Sequence, residues 1–284
     1  MPEHSGPFTP PAVVVGVDGS RAGVRAAVWA IDEATSRDIP LHLLAVTDDT
    51  AGTPPDSATS EAHTALHAAA AAVQAAGKPV RVVREVLTGS PTLCLLKASR
   101  TAAMVCVGAL GLRHFGSHRI GSTAAALVAS AQCPVAVVRG GEPTDPGWVV
   151  VEVDDTPQSA AVLQFAVTEA RLRGAPLRAL GGWQSRYTDV HDTHAVSEGN
   201  RLVRAQLDRR LSEWRRRYPD LDVKPVAVHG SMLHYLSRNA ESIQLVVVGA
   251  RSAEAVGELL GPAGQAALQD TDCSVLVVDR QRLL

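Results

Sequence analysis

Two glycines three positions apart end the apolar run Val105-Cys-Val-Gly108-Ala-Leu-Gly111, and after nine intervening residues Gly121-Ser122-Thr123 opens a second apolar run. Glycine has no Cβ, so it reaches backbone angles closed to other residues and lets a ligand come close to main-chain amides. The first amides of a helix lack an intrahelical acceptor and sit at the positive end of its dipole. A strand ending in glycines, followed by a helix beginning Gly-Ser-Thr, is therefore a cradle for a phosphate-like anion. Its donors would be the amides of Gly108, Ala109, Leu110, Gly111, Leu112, Arg113 and His114, together with Gly121, Ser122 and Thr123. Arg113, His114, His118 and Arg119 lie in or beside the connecting loop, where they offset anionic charge.

This Gly-x2-Gly-x9-Gly-Ser spacing is followed by Gln132-Cys133-Pro-Val-Ala-Val-Val138 and preceded by Val13-Val-Val-Gly16-Val-Asp18-Gly-Ser20. Together these segments resemble the universal stress protein family in its ATP-binding branch, and the pattern covers nearly the whole chain. The resemblance implies ATP as ligand, with Asp18 meeting the nucleotide, Gly16 leaving space beside it and the Val46 backbone reading the adenine edge. Read locally, Asp18 equally suits a turn or cap for the helix that starts near Ser20. Neither Gly-x-Gly-x-x-Gly after a strand nor Gly-x4-Gly-Lys-Ser/Thr occurs, so the phosphate site rests on the family spacing and on helix-terminus physics. A magnesium ion carried by the phosphates and water would need no dedicated protein ligand.

Other polar constellations are weaker. His63/His67 and His114/His118 stand four apart without a third ligand at a standard spacing, and Asp189-Val-His191-Asp-Thr-His194 reads as a polar loop, so no metal site is assigned. The arginines from Arg201 to Arg217 read as a solvated helix face. No activated nucleophile, Walker lysine or paired carboxylates stand near the cradle, which favours binding over catalysis. A slow ATP hydrolase or nucleotidyl-transfer enzyme is the first alternative, and a nucleotide-free interaction scaffold the second. Gly108→Ala or Gly121→Ala is expected to weaken ATP binding with stability nearly intact.

The elements that must position these residues come in two copies. Val13–Ser20 aligns with Val149–Thr156 at an offset of 136, which also aligns Ala30–Ala34 with Ala166–Ala170. Val105–Ala109 parallels Val246–Ala250, and Gln132–Val138 parallels Asp272–Val278. Apolar runs predict strands near 12–18, 41–46, 80–86, 103–108 and 134–138, and near 148–153, 176–181, 222–228, 244–249 and 274–278. Amphipathic runs between them, such as Val24, Ala27, Val28 and Ile31, predict crossover helices. The expected architecture is α/β: two tandem, doubly wound, five-stranded parallel-sheet domains, Rossmann-like and, by the resemblance, adenine nucleotide alpha hydrolase-like. The domains are set at 1–142 and 147–284, around the linker Gly140-Gly-Glu-Pro-Thr-Asp-Pro-Gly147. Such sheets bind ligands at the carboxyl ends of their strands, where Asp18, Thr47, Gly108 and Gly121-Ser122 fall.

The second copy departs from the first at the cradle. Ser252 replaces the second glycine, the interval to Gly261 is eight residues, Pro262 replaces the hydroxyl residue, and Glu254 and Glu258 add repulsive charge. It is expected to keep the fold and to have lost ATP. The runs 134–138 and 274–278 suit edge pairing, giving either a homodimer or an intrachain pseudo-dimer. Across 284 residues the formal net charge is −2, which gives no general pull toward nucleic acid or acidic lipid. No apolar run nears the ~20 residues of a membrane span, the N-terminus lacks a signal pattern, and the four cysteines form no Cys-x-x-Cys pair. These features point to a cytoplasmic protein with reduced, buried cysteines.

Overall fold

The computed structural model describes residues 11–47, 55–110, 120–140, 147–184, 193–250 and 271–278, with Leu259, Gly261 and Gly264. Ten strands form one sheet in the order β3-β2-β1-β4-β5-β10-β9-β6-β7-β8. The first half contributes β1 (Val13–Gly16), β2 (Leu41–Thr47), β3 (Val82–Thr88), β4 (Met104–Gly108) and β5 (Val135–Val138). The second contributes β6 (Trp148–Glu152), β7 (Leu177–Trp183), β8 (Val223–His229), β9 (Ile243–Gly249) and β10 (Ser274–Val278). Each half is parallel and doubly wound, as its alternating strands and helices require. The two meet in a single antiparallel pairing, Val135, Ala136 and Val137 of β5 against Val277, Leu276 and Val275 of β10. Those two edges are therefore consumed within the chain.

Near-continuous valine runs form the central strands because both faces are covered. Val13 and Val15 pack in one layer and Val14 in the other, the period of two that a strand imposes. Outer strands β3 and β8 carry Arg84, Glu85, Lys224 and Pro225, which suit an unpaired edge.

The first-half helices are α1 (Arg21–Ser36), α2 (Pro55–Ala75), α3 (Pro91–Ala98) and α4 (Ser122–Ser130); the second half has α5 (Pro157–Leu172), α6 (Thr193–Arg217) and α7 (Met232–Arg238). The buried stripe of α1 is Ala22, Gly23, Ala26, Ala27, Ala30, Ile31 and Ala34, while Val24 and Val28 sit at its flank. The predicted face is thus present in Ala27 and Ile31, with Val28 packed against the core from the flank, and the buried stripe extends from it over the alanines. Cys106, Cys133 and Cys273 are buried and form no disulfide, and burial pushes the Cys273 thiol up to about 12.

One buried charged cluster ties the halves together. Arg37 and Glu33 on the first-half side match Arg173 and Glu169 on the second at the same offset of 136. Arg37 Nη1 lies 2.6 Å from Glu33 Oε2, and Arg173 Nη1 lies 2.6 Å from Glu169 Oε2. Arg173 crosses to Glu33 at 2.8 Å, and Arg37 approaches Glu169 at 3.9 Å. Burial raises the Glu33 carboxyl, but Arg173 and then Arg37 outweigh it and leave the group below its usual range. Burial and the charge of Glu33 together push Glu169 well above that range, its distant Arg37 compensating little. Arg173 also stacks its guanidinium 4.4 Å from the Trp29 ring.

Candidate functional site

β1 is flanked by β2 on one side and β4 on the other, so successive connections diverge from it and leave a crevice at the carboxyl ends of the strands. Asp18 lies two residues beyond β1 and is exposed. Its Oδ1 accepts from the Ser20 amide at 3.0 Å and the Ser20 hydroxyl at 2.6 Å. Ser20 Oγ in turn accepts from the Gly23 amide at 3.0 Å and caps α1. Gly19, at φ 82°, supplies the left-handed turn that lets this happen. The local turn role weighed for Asp18 is thus present, with Ser20 supplying the cap, and the turn fixes the carboxylate just beyond the end of β1.

Val46 stands two residues beyond Leu44, the last β2 residue in register with β1. Leu44 O accepts from Val17 N at 2.9 Å, so Leu44 turns its backbone toward β1. By the period of two, Val46 turns its amide and carbonyl to the same side, where β1 has ended. Gly16 serves packing: a Cβ there would lie 2.9 Å from Leu95 Cδ1 and 3.2 Å from Val107 Cγ1. The space beside this glycine is filled by protein.

Gly108 brings the end of β4 against the first turn of α1, where an added Cβ would fall 2.6 Å from the carbonyl carbon of Ala22. Its φ lies outside the left-handed region, so close approach rather than an unusual backbone angle demands the glycine. This corrects the expectation for Gly108→Ala, whose methyl would push α1 as well as alter the crevice. Beyond Gly108, Ala109 N donates to Val138 O at 2.9 Å, while Ala109 O accepts from Gly121 N at 2.9 Å. That last bond carries the start of α4 back to the end of β4. Gly121 caps α4 at φ −58° and ψ 147°, angles that alanine also adopts. Ser122 is exposed and Thr123 half-buried in the first turn, and Leu110 is partly exposed beside them. Gly111, Leu112, Arg113, His114, His118 and Arg119 lie outside the described residues.

The corresponding turn of the second half has different neighbours. Asp154 repeats the turn, accepting from the Thr156 amide at 3.0 Å and the Thr156 hydroxyl at 2.6 Å. Two side chains of α6 then reach over it, signals the sequence pattern alone did not expose. Gln206 Nε2 donates to Asp155 Oδ1 at 2.6 Å, and Arg210 donates to the Asp154 carbonyl and lies 3.6 Å from Asp155. Glu152 occupies the place of Gly16, on the wall of an apolar cavity of about 10 Å³ lined also by Val150, Leu233, Val246 and Val248. That volume is about one water's worth. Trp183 stands where Thr47 stands in the first half, its ring tilted against that of His229 with centroids 4.6 Å apart and its indole N–H donating to Asn200 Oδ1 at 2.9 Å. Ser252, Glu254, Glu258 and Pro262 lie outside the described residues. Among the described residues no group of three His, Cys, Asp or Glu side chains is arranged to hold a metal ion, and no helix is long and apolar enough to cross a membrane.

Fold and site thus define a tandem doubly wound α/β protein whose halves share one plan and differ at the switch-point crevice. The Universal stress protein family matches residues 11–139 and 148–279. A universal stress protein of Mycobacterium tuberculosis (strain CDC 1551 / Oshkosh) is 45% identical over 282 residues, spanning 96% of this chain and 98% of that relative. Another from Mycobacterium tuberculosis (strain ATCC 25618 / H37Rv) is 38% identical over 273 residues, spanning 94% and 96%. The crystal structure of a universal stress protein from Archaeoglobus fulgidus DSM 4304 shares the fold, with a TM-score of 0.68 over 95% of this chain and 96% of that one at 17% identity. The chain belongs to the universal stress protein family.

Proposed function

We propose that the first half binds ATP at the crevice between the ends of β1 and β4, and that the protein acts as a nucleotide-dependent stress-response regulator by binding rather than catalysis. The observation carrying this reading is the bond from Gly121 N to Ala109 O, which sets the start of α4 beside Gly108 and the Asp18 turn. There the unpaired amides of Ser122 and Thr123 suit the phosphates, Asp18 suits the ribose end, and the Val46 backbone suits the adenine edge. Magnesium would be held through the phosphates and water. In the second half, Arg210 and Gln206 already engage the Asp154–Asp155 turn, which favours an ATP-free repeat.

Thermal unfolding of the full chain with and without ATP tests the reading. Free ATP at a hundred times its Kd should add about 2.7 kcal/mol. Asp18→Ala should weaken binding about tenfold, the scale of one hydrogen bond to a charged group. Protein that purifies without nucleotide and gains no thermal stability from ATP would replace this reading with the scaffold. Steady phosphate or pyrophosphate release, lost in a folded Asp18→Ala variant, would replace it with the enzyme.

A further inference from the structure

Thr92 Oγ1, on the first turn of α3, donates to Thr123 Oγ1, on the first turn of α4, at 3.3 Å. α3 and α4 pack side by side, and both threonines are half-buried. A hydroxyl carries one proton and two lone pairs. While the Thr123 oxygen accepts from Thr92, its own proton is left for an acceptor in front of α4.

The second repeat indicates that the fold itself does not require this pair. Paired strand ends Thr47↔Thr88 and Trp183↔His229 set the correspondence. The turns that follow match as well: Gly89 N donates to Thr47 O at 2.8 Å and Gly230 N to Trp183 O at 3.0 Å. Counting on from them, Leu233 stands for Thr92, and Ala263, two past Gly261, stands for Thr123. Leu233 lines an apolar cavity. Ser231 spends its hydroxyl on the Leu233 amide at 3.1 Å, whereas the matching Ser90 makes no side-chain cap bond. By sequence position the first repeat thus carries two hydroxyls, Thr92 and Thr123, where the second carries Leu233 and Ala263.

We propose that Thr92 is a positioning residue for phosphate recognition: it holds the Thr123 hydroxyl so that its proton faces the anion bound at the start of α4. The inference rests on the ATP reading and adds to it a residue outside the glycine cradle. Thr92→Val keeps the branched shape and removes the hydroxyl, while Thr92→Ser restores the donor.

Isothermal titration of the full chain with ATP and, separately, with adenosine tests it. Thr92→Val should weaken ATP about three- to tenfold, the scale of one hydrogen bond. Adenosine affinity should stay unchanged, Thr92→Ser should recover ATP affinity, and Thr92→Val should add nothing once Thr123→Val is present. Equal losses for ATP and adenosine, or unchanged ATP affinity, would overturn the role of Thr92. If Thr92→Val does not fold, Thr92→Ala is read by the same criteria. Wild-type protein that binds neither ligand would instead sink the ATP reading itself.

Discussion

Glycines of one sequence motif do different physical jobs here. Gly108 allows backbone to meet backbone, so Gly108→Ala should cost about 1–3 kcal/mol, the usual scale of overpacking, with a lowered urea midpoint. Gly121 has angles any residue adopts, so Gly121→Ala should leave that midpoint nearly unchanged while weakening ATP in equilibrium dialysis. Unchanged ATP affinity in Gly121→Ala would remove the α4 amides from the site. Sequence spacing marked both positions as special. It could not separate a ligand's need for space from a helix's, because the atom that would collide with a new methyl belongs to Ala22, 86 positions away. Asp18 carried both of its readings in the sequence, and its turn to Ser20 was legible because it spans three residues.

At the scale of elements, strands and crossover helices fall within a few residues of where alternation and apolar runs place them, since local periodicity encodes burial on two faces. The details that departed involve contacts between elements. The buried stripe of α1 extends beyond the predicted face over its alanines, and α6 proved to be the element whose side chains reach the Asp154–Asp155 turn. Its arginines are not simply a solvated stripe: Arg210 meets the Asp154–Asp155 turn and Arg215 reaches Val223 O at 3.1 Å. Calorimetric titration should therefore give one ATP per chain, and Asp154→Ala should not change that stoichiometry. A stoichiometry of two would show that α6 yields its place to nucleotide.

For the whole molecule, the antiparallel β5–β10 pairing and the Glu33–Arg37–Glu169–Arg173 cluster join two similar halves. Removing one partner from a buried ion cluster strands the others, so Arg173→Ala should lower unfolding free energy by about 3–5 kcal/mol. Burial and the neighbouring Glu33 charge raise Glu169, while Arg173 and Arg37 lower Glu33, so the two carboxyls are unequal. Glu169→Gln should be nearly neutral in urea unfolding, whereas Glu33→Gln should be clearly destabilising, and equal effects would refute that assignment. With its folded pKa raised, Glu169 contributes stability at low pH that is lost as pH rises through that value. Glu33, with its pKa lowered, contributes stability that is lost as pH falls through its own value. The sequence by itself determined the duplication, the ten strands, the cradle's spacing and the loss of that spacing in the second repeat, because each is written in residues close together along the chain. Tertiary structure alone decided that β5 pairs within the chain, which side chains reach the Asp154–Asp155 turn, and that two glutamates 136 positions apart share one buried site. Those outcomes depend on which distant surfaces exclude water from one another, and no local pattern records that.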